Sequence, residues 1–277
     1  MKTIIVAMDF SQGATNALDY AIDIAQYSKA EILLVWIDTY TNEKAVMGEK
    51  NEVRHDAKLE LQNIVDKNKE KHPELDISFK QKKGKVFQEI ANIATTTKAD
   101  LIVVGTHGVS GFEEFWIGSN AYKIISYAPC PVISVPTKYA TGGKIEKIIV
   151  PIDDSFDTTR KIPMASQLAV AFQASIELLG VYHSKLTSIK KITDGYIKDS
   201  ERYLNAKGIP SKFKSCSSNN IATSIVKYAE EINADLIVIM TDQNNANTDI
   251  ILGVNSQHII NNSNIPILSV KPEKLKI

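Results

Sequence analysis

Cysteine is nearly missing from this chain: Cys130 and Cys216 are the only two in 277 residues. That excludes a disulfide scaffold and a cysteine metal knuckle. It fits a reducing compartment, with both thiols expected as small buried apolar residues. Net charge is missing too, with 32 Lys and Arg against 32 Asp and Glu. No global field favours nucleic acid, an anionic membrane or an acidic partner, so no nucleic-acid partner is expected. Long apolar runs are also lacking. None approaches the ~18 residues that span a bilayer, and the opening MKTIIVAMDF reaches Asp9 too soon for a secretory leader. The expected setting is cytoplasmic, away from membranes. The five histidines, His55, His72, His107, His183 and His258, lack metal-ligand spacing. No zinc site and no protein-built metal cage are expected.

What the chain does have is 44% apolar residues, enough for two cores at a length that suits two domains. It also repeats itself. Ile4-Ile5-Val6-Ala7-Met8-Asp9-Phe10-Ser11 aligns with Ile148-Ile149-Val150-Pro151-Ile152-Asp153-Asp154-Ser155, an offset of 144. Ala99-Asp100-Leu101-Ile102-Val103-Val104 aligns with Ala234-Asp235-Leu236-Ile237-Val238-Ile239, an offset of 135. The second copy is therefore shorter by 144 − 135 = 9 residues between these matches. The expected domains are 1–138 and 145–277. The seam, Thr137 to Glu146, carries Gly142-Gly143 and reads as a flexible connection.

Within the first copy, apolar runs alternate with helix-period segments. Ile4–Met8, Ile32–Ile37, Ile77–Phe79, Leu101–Val104 and Val132–Val135 read as strands. Between them, Ala14, Leu18, Ala21, Ile22 and Ala25 recur at helical spacing behind a Ser11 cap. Asn51–Lys71 places Val53, Ala57, Leu61, Ile64 and Val65 on one stripe, and Lys85–Thr96 turns Val86, Ile90, Ile93 and Ala94 inward. The second copy repeats the order, with a shorter second helix expected near Ile192–Lys207. Alternating strands and helices predict an α/β fold: two tandem, doubly wound, five-stranded parallel sheets of order 3-2-1-4-5. Ligands of such sheets bind outside the carboxyl ends of the strands, at the switch point.

Three pieces of the first copy converge there: Asp9, Ile37, and the loop after the fourth strand. That loop reads Gly105-Thr106-His107-Gly108, nine residues, then Gly118-Ser119-Asn120. Glycine lets a backbone come close to a phosphate, and Gly118-Ser119 opens a helix whose free N–H groups suit an anion. A plain tight turn would use the same glycines, so both readings stand on spacing alone. Asp9 likewise reads as a nucleoside contact or as a helix cap. His107 has no Asp or Ser spaced to make it a catalyst, and it reads as a loop residue. Phe112 and Trp116 in the same loop read as a lid over the ligand site or as packing in the other half's groove, with packing favoured.

The chain resembles the universal stress protein family over nearly its whole length, once per half. ATP-binding members of that family carry G-x2-G-x9-G-[S/T], and Gly105, Gly108, Gly118 and Ser119 match each fixed position. Asp9-Phe10-Ser11 and the strand Ala30–Ile37 also look like the family's opening. The resemblance implies an adenine nucleotide, ATP, as ligand. Asp9 would lie near the nucleoside and Ile37 would offer backbone groups to the adenine edge. Gly105 and Gly108 would face the ribose and phosphates, while Gly118, Ser119 and Asn120 would hold the phosphates. Mg²⁺ or Mn²⁺ would bridge phosphate oxygens. It also implies pairing along strand five, here an intramolecular pseudo-dimer of Val132–Val135 with Ile267–Val270, and it leaves a homodimer open.

The second copy departs from the motif. Met240 and Gln243 replace the first two glycines and Val254 replaces Ser119, although Gly253 remains. No ATP is expected there, and Asp153 is left to cap or to serve its turn. The expected function is a regulatory stress-response ATP binder read by an unidentified protein partner. No catalytic residue is expected, and little or no ATPase activity, since no Walker lysine or arginine finger is present. The rival is a ligand-free interaction module of the same fold. An ATP pyrophosphatase would need a Ser- and Gly-rich loop after strand one, which Met8 to Gly13 does not supply.

Overall fold

Both repeats fold around a central parallel sheet in the computed structural model, which describes residues 1–39, 47–106, 117–139, 142–218, 220–241 and 252–272. Contacts divide the chain into two compact units at Gly142–Gly143.

The N-terminal unit runs β1 (Thr3–Met8), α1 (Gln12–Ser28), β2 (Glu31–Asp38), α2 (Met47–Lys71), β3 (Ile77–Lys83), α3 (Val86–Thr97), β4 (Leu101–Gly105), α4 (Ser119–Tyr127) and β5 (Val132–Val135). The strand order is β3-β2-β1-β4-β5, and every neighbouring pair is parallel. The inner strands are apolar runs because helices cover both faces. Ile4, Ile5, Val6, Leu101, Ile102 and Val103 are wholly buried. The outer strand β3 instead alternates, with Ile77 buried and Ser78, Lys80 and Lys82 exposed.

Ser11 caps α1, its hydroxyl accepting from the Ala14 N–H at 3.1 Å. The helix ends at Lys29 in the left-handed region, as helices often do. Buried Asn16 ties α1 to the chain leaving β5, donating to the Thr137 carbonyl at 2.7 Å. In α2, Ala57, Leu61 and Val65 face the core as expected, but Val53 is half exposed. It sits near the start of the helix, where it lines a cavity at the sheet's carboxyl end.

The C-terminal unit runs β6 (Lys147–Ile152), α5 (Ile162–Phe172), β7 (Ser175–Tyr182), α6 (Thr187–Ala206), β8 (Ser211–Ser217), α7 (Ile221–Glu231), β9 (Leu236–Met240), α8 (Val254–Asn262) and β10 (Ile267–Val270). Its order is β8-β7-β6-β9-β10, again all parallel. The outer strand β8 exposes Lys212, Phe213 and Lys214.

Two expectations are corrected. Helix α6 begins at Thr187 rather than Ile192, one turn ahead of its buried stripe of Thr193, Ile197, Ser200 and Leu204, and none of residues 187–192 is buried. The shortening lies between β7 and β8. The register partners Ile32 and Ile77 correspond to Ile176 and Ser211, so the offset falls from 144 to 134 across that helix. Cys130 and Cys216 are each partly exposed rather than buried. Cys130 lies in the bend before β5, and Cys216 lies in a strand bonded on one side. No described helix is long and apolar enough to cross a membrane.

Candidate functional site

In the N-terminal unit, β1 and β4 are neighbours whose crossovers run in opposite directions. Their carboxyl ends therefore leave a crevice between diverging connections. A cavity of about 450 Å³ fills it. One wall is aliphatic: Val35 and Ile37 from β2, Val86 and Ile90 from α3, Ala121 and Ile124 from α4. The lining also includes Asp9, Ser11, Thr106, Gly118, Ser119 and Asn120. Two carboxylates, Asp9 and Asp38, line it, and no Lys or Arg appears among the lining residues described.

Of the residues singled out from sequence, Asp9, Ile37, Gly105, Gly118, Ser119 and Asn120 all line this one cavity. Gly108 lies outside the described residues, as do His107, Phe112, Trp116 and the 244–249 stretch. Gly118 directly precedes α4 with no side-chain cap. Its own N–H bonds the Thr106 carbonyl at 2.7 Å. The uncapped helix start leaves N–H groups for an anion.

Asp9 serves its turn as well as the cavity. Its Oδ1 accepts from the Ser11 N–H at 3.0 Å and the Ser11 hydroxyl at 2.5 Å. Phe10 between them has φ 64°, a left-handed conformation costly for an aromatic residue. Gly105 is bare for a reason the sequence did not suggest. A Cβ there would lie 2.5 Å from the Gly13 carbonyl carbon and 2.9 Å from its Cα. The end of β4 thus packs directly on the first turn of α1, backbone to backbone.

Several lining residues escaped sequence reading. Val35, Val86 and Ile90 have the periodicity of core positions, and a pocket wall shares that signature. Asp38 ends β2 with its side chain only 7% exposed, held by Arg54 Nε at 2.7 Å. A carboxylate closing an apolar strand was the available signal.

The C-terminal unit keeps the Asp153–Ser155 turn and an uncapped glycine, Gly253, before α8, and differs elsewhere. Met240 holds the position of Gly105, and α5 starts only at Ile162, behind a 3-10 turn over Thr158–Lys161. Lys161 is 4% exposed, and its Nζ donates to the Thr158 carbonyl at 2.7 Å and to Thr158 Oγ1 at 3.2 Å. Burial opposes ionisation of Asp153. The Ser155 hydroxyl, the Lys161 ammonium and the Ser155 N–H outweigh it and hold the carboxyl below its ordinary value. Gly180 stands where the first unit has Trp36, and the ends of Ile197 and Phe213 lie 2.8 Å from the Cβ it lacks.

Breaking this cluster has a pH signature. Asp153→Asn removes the attraction between the carboxylate and the buried Lys161 ammonium and weakens the hydrogen bonds Asp153 accepts from Ser155, and should cost about 2 kcal/mol near neutral pH, measured by urea unfolding. The folded value is depressed, so the stabilisation is full above the ordinary 3.8 and is lost as pH falls through the folded value. The gap between the two proteins should accordingly narrow below that pH.

Among the described residues no group of three or more His, Cys, Asp or Glu is placed to hold a metal ion. A cation in this cavity would rest on ligand oxygens and water.

A family profile described as the Universal stress protein family matches residues 1–136 and again residues 144–271. The universal stress protein YxiE of Bacillus subtilis is 29% identical over 145 residues, which are 48% of this chain and 97% of that protein. A universal stress protein of Methanocaldococcus jannaschii is 31% identical over 138 residues, 48% of this chain and 81% of its own length. A solved structure of a universal stress protein from Archaeoglobus fulgidus has a TM-score of 0.79 at 18% identity, covering 97% of this chain and 98% of that one. At that identity the likeness is one of fold.

Proposed function

The chain belongs to the universal stress protein family, once in each half, and from that premise we propose that its N-terminal unit binds an adenine nucleotide as a regulatory ligand. The nucleotide is ATP with Mg²⁺ or Mn²⁺, turned over slowly or not at all. The observation that carries this reading is one cavity lined both by aliphatic side chains and by the uncapped start of α4. The aliphatic wall of Val35, Ile37, Val86 and Ile90 suits a flat base, and the open start of α4 at Gly118–Ser119 suits phosphates. In this reading Asp9 lies at the nucleoside and the Ile37 backbone at the base edge. Gly105 and Gly108 lie along the ribose and phosphates, and Gly118, Ser119 and Asn120 hold the phosphates.

Slow turnover follows from the lining. Neither Lys nor Arg is among the described lining residues to neutralise a transferring phosphoryl group. Oδ1 of Asp9 is already engaged with Ser11. The C-terminal unit, in this reading, binds no nucleotide. Met240 fills the bare place at the end of its fourth strand, and Val254 stands without a hydroxyl where Ser119 is. The Asp153–Lys161 cluster supplies internally what a ligand would supply next door. A partner protein would read the loaded state of the first unit.

Mass analysis of nucleotide released from freshly purified protein, followed by titration with ATP and Mg²⁺, tests this. Ser119→Glu puts a carboxylate at the phosphate end and should weaken binding by at least about a hundredfold, or about 2.7 kcal/mol. An acid is welcome in the first turn of a helix, so the fold is kept. Val254→Glu, the equivalent change in the second unit, should leave binding unchanged. Absence of ATP binding in the wild type sinks the reading.

A further inference from the structure

We propose that Asp38, held by Arg54, is the base-reading residue of the N-terminal cavity: its carboxylate accepts from the exocyclic amino group of adenine. The inference rests on the nucleotide reading of that cavity and adds what decides between bases. Asp38 ends β2, lines the cavity and keeps all but 7% of its side chain covered. Arg54 Nε donates to its Oδ2 at 2.7 Å. Arg54 is itself tied down, since its carbonyl accepts from Gln81 Nε2 of β3 at 3.1 Å. Val53 beside it lines the same cavity. The acid is therefore held between β2 and α2, at the wall of the space a ligand would fill.

Topology says which part of a nucleotide comes near it. β1 lies between β2 and β4, so the ends of β2 and β4 stand two strand spacings, roughly 10 Å, apart. Thr106 follows β4, and its carbonyl accepts from the Gly118 N–H, which ties the start of α4 to that end. Phosphates at the start of α4 leave the β2 side for the nucleoside. There Asp38 directly follows Ile37 of the aliphatic wall.

Charge then says what group can meet it. An ionised carboxylate only accepts, at about four positions, and even a bidentate guanidinium takes two of them. An amino group supplies a donor to such an acid, whereas a phosphate is repelled by it. The cations nearby are Arg54 and the register neighbour Lys83 on β3. Neither is among the described lining residues, so the wall includes the acid and not its partners. Tying the strand end to the next helix does not itself require a carboxylate at this place. Tyr182 ends β7 as Asp38 ends β2, and its hydroxyl donates to Asp194 of α6 at 2.5 Å. In the N-terminal unit the acid stands on the strand instead, at the cavity wall.

The test is titration calorimetry on the full chain with Mg²⁺ and four triphosphates: ATP, purine riboside triphosphate, GTP and dATP. Purine riboside lacks only the amino group, and it should bind the wild type at least about tenfold more weakly than ATP. GTP should also bind at least about tenfold more weakly, and dATP within about threefold of ATP. In Asp38→Ala, and in the double variant with Arg54→Ala, ATP and the riboside should bind within about threefold of each other. The ratio of two affinities in one protein is unaffected by a loss of folded fraction, so it reads the contact and not stability. Arg54 acts through Asp38 as a positioning residue. Arg54→Met should lower the ATP-to-riboside ratio at least about threefold and Arg54→Lys should restore most of it, whereas a purely structural role would weaken both ligands together. Equal binding of ATP and the riboside by the wild type overturns the proposal and leaves the nucleotide reading standing, while binding of none of the four removes both. A preference for GTP that disappears in Asp38→Ala overturns it as well, because the carboxylate would then accept from N1–H and the 2-amino group of guanine. So does a preference for ATP over dATP that disappears in Asp38→Ala while the amino group still counts, because the carboxylate would then read the ribose.

Discussion

Gly105→Ala, the addition of one methyl group, is expected to cost the N-terminal unit about 3 kcal/mol. The new Cβ would meet the Gly13 carbonyl carbon at 2.5 Å, its oxygen at 2.6 Å and its Cα at 2.9 Å. All three are backbone atoms, so no side-chain rotation relieves the clash. The first turn of α1 must lift from β4, and it carries Ser11 and the hydrogen bonds that hold Asp9. For a unit of this size, a loss of that magnitude lowers the melting temperature by roughly 10 °C. Nucleotide binding should fall with it, because Asp9 and Ser11 line the cavity. Gly143→Ala is the control. Nothing lies within 4 Å of its Cβ position, so its cost should stay within about 0.5 kcal/mol. Thermal unfolding of the two variants beside the wild type measures both numbers, and a Gly105→Ala protein as stable as the control would refute the packing argument.

Chelating divalent cations should weaken ATP binding by about a hundredfold or more, while AMP binding changes by less than about threefold. The expectation comes from the cavity lining. Asp9 brings negative charge, Asp38 is paired with Arg54, and no described lining residue is a Lys or Arg. Among the described lining residues, a triphosphate placed there meets backbone amides and the uncharged side chains of Ser11, Thr106, Ser119 and Asn120 as donors. Like charges at close range in a partly buried site are repelled by several kcal/mol, and a divalent ion on the phosphates removes most of that. AMP carries less charge and gains less from the ion. Titration calorimetry with and without chelator gives the comparison directly. Equal ATP affinity in the two conditions would mean that a cationic group from elsewhere in the chain reaches the phosphates.

Much of the fold could be read from sequence because local and global preferences agree. The solid apolar runs Ile4–Met8 and Leu101–Val104 form buried inner strands. The helix-period residues Ile90, Ile93 and Ala94 form the buried face of α3. What escaped reading depends on contacts distant in sequence. Gly13 and Gly105 need each other, yet 92 residues separate them and nothing local marks the pair. Lys161 occupies a position that is Ala17 in the first copy. Its burial depends on Thr158 and Asp153, and together they replace the first turn of the expected helix with a 3-10 turn. The site was legible where chemistry demands a rare pattern, as at Gly118-Ser119 before a helix. It was not legible along the aliphatic wall, where a surface lining a cavity and a surface packed on a helix use the same residues.

The lysines alternating along β3 and β8 bear on how the chain behaves when it is concentrated. Each strand is hydrogen-bonded on one side, and each carries ammonium groups two residues apart, Lys80 with Lys82 and Lys212 with Lys214. A second copy laying the same strand alongside would set positive charge against positive charge along the whole ladder. Chemical acetylation of these amines would remove that repulsion. It would lower the barrier to stacking through these hydrogen-bonding rims.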